Sequence, residues 1–398
     1  MNPFHHSLAR FFIIPLILLL SQCEPAQTHD EAEPHVFRFG NGEIEFRADF
    51  EGGKLNSVTQ IDEKNFLITS WAEDYPIDRS PTYAFQIISQ EDRKINLSLE
   101  FKGAKAPGTP KSSLDGHNWK TLPCQLEGID LQMSINLRAG DTLWLARHPI
   151  YTSSDVQEWI EDISNDERVH PGSCGQSVGG KPIAVLDIYA DNPEGKDILV
   201  LFARQHPTEV PGQEVFATYV ETLLEEHTAE SAFFDRYRIL AFPLLNPDAV
   251  DRGRWRHNLN GMDLNRHWTD SSSQTEVRAV IDYLNDSLKG GQMKFAIDFH
   301  SRDGACAFYV TERDEAIVRN YHQLIAKRNP PLNYEVLTSF PSFSKIAVPN
   351  YSNTWFNAKN VPIVIHETTH DVVYEDAIAT ARKAADALVE LLMELPEE

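Results

Sequence analysis

Positive charge is scarce in this 398-residue chain: 36 lysines and arginines stand against 59 aspartates and glutamates, a formal net charge of −23. A nucleic-acid partner needs a basic footprint, so this balance argues against one, and the acidic surface is read as an aid to solubility. Cysteine is scarcer still, at four residues. No Cys-x-x-Cys or Cys/His spacing occurs, which excludes a thiolate metal site. Cys124, Cys174 and Cys306 follow Cys23, and three thiols leave at least one unpaired. Internal repeats and low-complexity tracts are lacking, as is any apolar run near the ~20 residues that a membrane-spanning helix needs. What is present is 41% apolar residues, enough for real cores, and a length that suggests two domains.

The longest apolar stretch, residues 11–20, follows Arg10 and precedes Ser21-Gln22-Cys23. Ten such residues suit the core of a signal peptide. Leu20-Ser21-Gln22-Cys23 resembles a bacterial lipoprotein processing site, with Gln22 departing from the small residue usual there. The expectation is a signal peptide over 1–22, lipidation of Cys23, and a polar tether over 23–34. The protein would then be exported and held to a membrane through Cys23, facing the periplasm. Glu24, not aspartate, follows the cysteine, which favours the outer membrane.

Two grammars follow. Over 35–145, short runs such as Glu43-Ile44-Glu45-Phe46-Arg47 and Ile95-Asn96-Leu97-Ser98-Leu99 alternate polar and apolar residues between turn formers, which predicts a smaller all-β sandwich domain. It clusters no catalytic residue types and reads as a packing or accessory domain. Over 147–398, near-continuous apolar strands (182–188, 198–203, 239–245, 295–299, 305–310, 362–365) alternate with helical patterns over 212–227, 274–288, 314–327 and 375–394. This predicts an α/β domain with a mixed, mostly parallel sheet flanked by helices.

The chemistry gathers at the ends of those strands. His206-Pro207-Thr208-Glu209 follows the run 198–203 and offers an imidazole and a carboxylate three residues apart. Alone, this is an accident-prone motif. His300 closes the strand at 295–299, and strand ends of one sheet converge on a common site although distant in sequence. His206, Glu209 and His300 together make a two-histidine, one-carboxylate set of the kind that binds catalytic zinc and leaves a position for water. Glu367 follows the strand at 362–365, on the face of Ile363 and Ile365, with His366 on the other. A carboxylate entering the end of a buried sheet is costly unless it is paired or has a role, and this one suits acid–base work. Between these lie Asn246-Pro247-Asp248, Arg254-Trp255-Arg256 and Gly261-Met262-Asp263-Leu264-Asn265-Arg266-His267-Trp268. The arginines supply forked donors, one for a substrate carboxylate and one for an oxyanion.

In their order, HPTE, NPD, RWR, GMDLNRHW, DFHS and the late Glu367 resemble the zinc metallocarboxypeptidase family typified by carboxypeptidase A, over residues 180–370. The stretches 49–55 and 146–152 are similar to the cytosolic carboxypeptidase-like branch, in which a β-sandwich precedes the catalytic domain. The resemblance implies one Zn2+ per chain on His206, Glu209 and His300, with Glu367 as the base and Arg256 on the oxyanion side. It further implies Asn265 and Arg266 as the clamp on a substrate C-terminal carboxylate, and Asp263 as the partner that orients His206. The branch usually has glycine where this chain has Thr208 and Ala249, and the family's mobile tyrosine is matched only by Tyr351. The activity so implied is removal of the C-terminal residue from peptides. Two alternatives stand beside it: a zinc amidohydrolase acting on cell-wall peptides, motivated by the expected export, and a catalytically silent peptide-binding protein on the same fold.

Overall fold

The computed structural model describes residues 36–73, 82–102, 108–128, 130–226, 232–288, 290–338 and 350–396. Cys23, with the signal and tether expected around it, lies outside the described residues. From Val36 to Ala146 the elements are eleven strands and one 3-10 turn, an all-β region. Its strands form a six-stranded and a five-stranded sheet. Their inner faces share one core, in which Phe46 of one sheet meets Phe66 of the other with ring centroids 5.0 Å apart. The alternation that predicted this packing is visible in Arg93–Lys102, where Ile95, Leu97, Leu99 and Phe101 point inward.

The remaining strands form one eight-stranded sheet, ordered Val169–Gln176, Pro182–Ile188, Tyr237–Phe242, Asp197–Ala203, Met293–Arg302, Ile363–Thr369, Ala307–Tyr309 and Glu335–Leu337. The four strands from Tyr237–Phe242 to Ile363–Thr369 run parallel, and the flanking pairings are mixed. A strand covered on both faces must be apolar on both. Accordingly Leu199, Leu201 and Ala203 enter one core, with residues of the helices Val210–Glu226, Glu315–Lys327 and Tyr374–Glu394. Ile198, Val200 and Phe202 enter the opposite core, under the helices Thr275–Ser287 and Ser352–Ala358.

Two strands run longer than the apolar pattern suggests. Met293–Arg302 continues past His300, Ile363–Thr369 continues past Glu367, and the ladder pairs His300 with Glu367 directly. Backbone pairing does not stop where the side chains turn polar, so His300 and Glu367 both sit inside strands and not beyond them. Among the described residues no helix is long and apolar enough to cross a membrane, and Cys124, Cys174 and Cys306 are all free thiols.

Candidate active site

The chain leaves the strand Asp197–Ala203 through Arg204, whose positive φ of 57° makes a sharp turn. Arg204 is buried, and its guanidinium donates to the carbonyls of Tyr151 (2.9 Å) and Pro207 (2.8 Å), which ties down the short loop before the next helix. That loop aims His206 and Glu209 back across the sheet end. Glu209 immediately precedes the helix Val210–Glu226 and accepts through its carbonyl from Gln213 N–H at 3.3 Å, so its carboxylate lies where the helix dipole favours negative charge.

His206, Glu209 and His300 converge, with one donor atom from each lying within 4.8 Å of the others. Nδ1 of His206 is 2.8 Å from Glu209 Oε1, and Nδ1 of His300 is 2.6 Å from Glu209 Oε2. Both imidazoles therefore present the same nitrogen to the same place. Their other nitrogens are held from behind: His206 Nε2 by Asp263 Oδ1 at 3.0 Å, His300 Nε2 by Asp298 Oδ1 at 2.9 Å. Metal-bound imidazoles are usually supported in this way, by a carboxylate that fixes ring orientation and tautomer. All three donors are buried and of the kinds zinc accepts, so the residues present fit that ion.

The charges follow the same geometry. Burial works against the ionised form of Glu209, yet the flanking His206 and His300 hold its carboxyl well below the usual range. Burial would likewise lower His300, but Asp298 and Glu209 raise it well above an ordinary imidazole. Glu367 behaves differently. Burial pushes its carboxyl up to about 7, against the pull of His300.

A cavity of about 550 Å³ opens onto this group, lined among others by Glu367, Arg256, Arg266, Tyr351, Arg302 and His370. Every site residue expected from the sequence within the described part, save Asp263 at the back of His206, lines it. Arg256 Nε donates to Asp263 Oδ2 at 2.8 Å, and Arg266 stands 3.5 Å from the same oxygen, so one partly buried aspartate holds both arginines and His206. The Arg266 guanidinium also lies over the Tyr351 ring, 4.2 Å from its centroid. The Asn265 side-chain oxygen accepts from Ser352 N–H at 3.0 Å, and its amide nitrogen lies 3.2 Å from His300 Nε2. The Thr208 hydroxyl donates to the Trp255 carbonyl at 3.2 Å, a bond glycine would lack.

Sequence reading missed Asp298 and Gln205. Asp298 is fully buried and also accepts from Gln205 Nε2 (2.7 Å) and Ser352 Oγ (2.6 Å), while Trp268 Nε1 donates to Gln205 Oε1 at 2.8 Å. A signal for Asp298 was available: it stands two residues before His300 in one strand and shares its face.

The model of the zinc carboxypeptidase family matches residues 156–387, more than half of the chain. Cytosolic carboxypeptidase 6 of Homo sapiens is 29% identical over 292 residues, covering 65% of this chain and 57% of that protein. Cytosolic carboxypeptidase 2 of Danio rerio is 31% identical over 260 residues, covering 56% and 36%. The chain thus spans well under two thirds of these relatives. Among solved structures, a metallo-carboxypeptidase from Burkholderia cenocepacia superposes with a TM-score of 0.74 at 15% identity, over 88% of this chain and 99% of that one. A metallo-carboxypeptidase from Pseudomonas aeruginosa, in complex with (2-guanidinoethylmercapto)succinic acid, superposes with a TM-score of 0.71 at 17% identity, over 88% and 100%. At such identities the superpositions show a shared fold. The curated relatives also correct one expectation. They are named as cytosolic proteins, which points away from an exported lipoprotein facing the periplasm, so the export read from residues 1–23 is withdrawn.

Proposed function

The chain belongs to the zinc carboxypeptidase family, and from that premise we propose that it is a zinc-dependent metallocarboxypeptidase that hydrolyses the C-terminal peptide bond of peptides. One observation carries this reading: the Glu367 carboxyl, with its Oε2 buried, faces the same cavity as the His206, Glu209 and His300 donors and two arginines. One Zn2+ per chain would be held by His206 Nδ1, Glu209 and His300 Nδ1. When bound, it supplies the Lewis acidity that makes water nucleophilic near neutral pH.

The chain's own residues do the rest. Glu367 takes a proton from the attacking water and returns it to the leaving amine, work suited to a carboxyl that faces the cavity beside the three donors. Arg256 faces the oxygen on which negative charge develops, and its bond to Asp263 fixes its approach. Arg266 clamps the free carboxylate of the substrate, which would approach over the Tyr351 ring. Asn265, its side-chain oxygen held by the Ser352 N–H, lies beside Arg266 in the cavity and shares in this clamp through its amide N–H groups. Tyr351 contributes a wall of the pocket.

The cell-wall reading rested on export and goes with it. The catalytically silent reading gains nothing from Thr208, whose side chain is accommodated without positive φ and bonds the neighbouring loop. The experiment is hydrolysis of a panel of N-blocked dipeptides by the zinc-loaded protein, the chelated protein and Glu367→Gln. Release of the C-terminal amino acid by the first sample alone is expected. Equal release with and without chelator would overturn the mechanism, and no release from any peptide would overturn the activity.

A further inference from the structure

Between the helix Pro247–Asp251 and the 3-10 turn Leu264–Arg266, the chain that carries Arg256 has no helix or strand of its own. Its place is therefore set by what its backbone bonds to. At residues 255–257 the bonds come from the all-β region. Glu73, two residues beyond the strand Asn65–Trp71, is 5% exposed. Its Oε2 accepts from the backbone N–H of Trp255 and of Arg256, both at 2.8 Å, and its Oε1 from that of His257 at 3.0 Å. The Arg254 guanidinium stands 3.7 Å away. Three consecutive N–H groups closing on one carboxylate fix the loop in direction as well as position, because a carboxylate has enough lone pairs for all of them. From the other side, Thr208 of the ligand loop bonds the Trp255 carbonyl at 3.2 Å. The Arg256 side chain then reaches Asp263, which in turn holds His206.

We propose that Glu73 is a positioning residue for peptide hydrolysis: through the backbone of residues 255–257 it sets the Arg256 guanidinium against Asp263 and the reacting carbonyl. The all-β region is then part of the catalytic apparatus and not only a packing partner. This rests on the reading of Arg256 given above.

Glu73→Gln is the informative change, because it keeps the size of the side chain while turning a donor toward backbone donors. The expected result is a fall in kcat of about 10–100-fold, as for other residues that orient site groups, with KM changed far less and zinc content unchanged. Glu73→Asp, which keeps the charge, recovers part of the loss and replaces Glu73→Gln should the latter fail to fold. In an Arg256→Ala background, Glu73→Gln should cost nothing further. Hydrogen exchange supplies a readout independent of activity: the amides of 255–257 lose protection in Glu73→Gln. The proposal is overturned if kcat is unchanged, if the loss is as large without Arg256, or if those amides stay protected. Should the unaltered protein cleave no peptide, the functional reading fails on its own, and the exchange measurement still decides whether Glu73 holds the loop.

Discussion

Glu367 and His366 are adjacent and have opposite fates. Glu367 faces the cavity, while His366 packs among Phe299, Phe308 and Tyr334, and burial lowers its imidazole to about 3. Alternation along the strand assigns these sides, and it was legible from the residues alone. Replacing Glu367 by Gln should lower kcat by about 10²–10⁴-fold, the usual contribution of a positioned acid–base group, in steady-state assays with zinc saturating. The same change should stabilise the metal-free protein. Folding raises this carboxyl from 4.5 to about 7, so its stabilising, protonated contribution is complete below pH 4.5 and lost as pH rises through 7. Urea denaturation at pH 8 should therefore show metal-free Glu367→Gln more stable than the parent by roughly 3 kcal/mol at most, a difference that disappears below pH 4.5. At Asp298 the change to Asn removes the charge behind His300 Nε2 and should weaken zinc binding by about 10–100-fold in competition with a chromogenic chelator. Undiminished affinity would show that the Asp298 charge does not orient that ring.

At the scale of the element, what could be read depended on whether an element carried its own pattern. Pro182–Ile188 and Asp197–Ala203 are apolar on both faces, and Val210–Glu226 repeats its apolar positions at helical spacing. Val169–Gln176 was missed because it is an edge strand of mostly exposed residues that includes a proline and two glycines. The helix Ser153–Ile163 was missed although Thr152 and Asp155 form a capping box at its start. Packing between elements left no mark in local pattern. Gly212, in the first turn of Val210–Glu226, shows this: a Cβ there would lie 2.8 Å from the His300 carbonyl oxygen, and its N–H donates to Ser301 Oγ at 2.8 Å. The helix that follows Glu209 thus lies directly on the strand that carries His300. Gly212→Ala must push the two apart, so a loss of about 1–3 kcal/mol in chemical denaturation is expected, together with faster loss of zinc to chelator. Loss of stability without any change in zinc retention would separate the packing from the site.

For the whole molecule, two regions that look independent in composition share one site. Lys181 pairs with Asp251 and lies 3.6 Å from Glu51, while the Gly52 N–H donates to the Asp251 carbonyl at 2.7 Å. Glu73 carries the connection into the cavity itself. Zinc held by His206, Glu209 and His300 would link two separate strand ends and should stabilise the fold as a unit. With free zinc a hundredfold above its Kd, linkage predicts about 2.7 kcal/mol, read as a rise in Tm that depends on zinc concentration and is reversed by chelator. A Tm indifferent to zinc would mean that His206, Glu209 and His300 do not form a metal site.

The kinds of residue that gather at the candidate site, their order along the chain and the face each takes within its strand were legible without coordinates, because alternation and helical spacing are local properties of the backbone. His206, Glu209, His300 and Glu367 all belong to that class. The partners that aim them do not. Asp263 meets His206 across 57 positions, and Glu73 meets Arg256 across 183. No period relates residues so far apart. Their contact exists only once the sheets have packed, when each buried polar group must find a partner or bear the cost of lacking one.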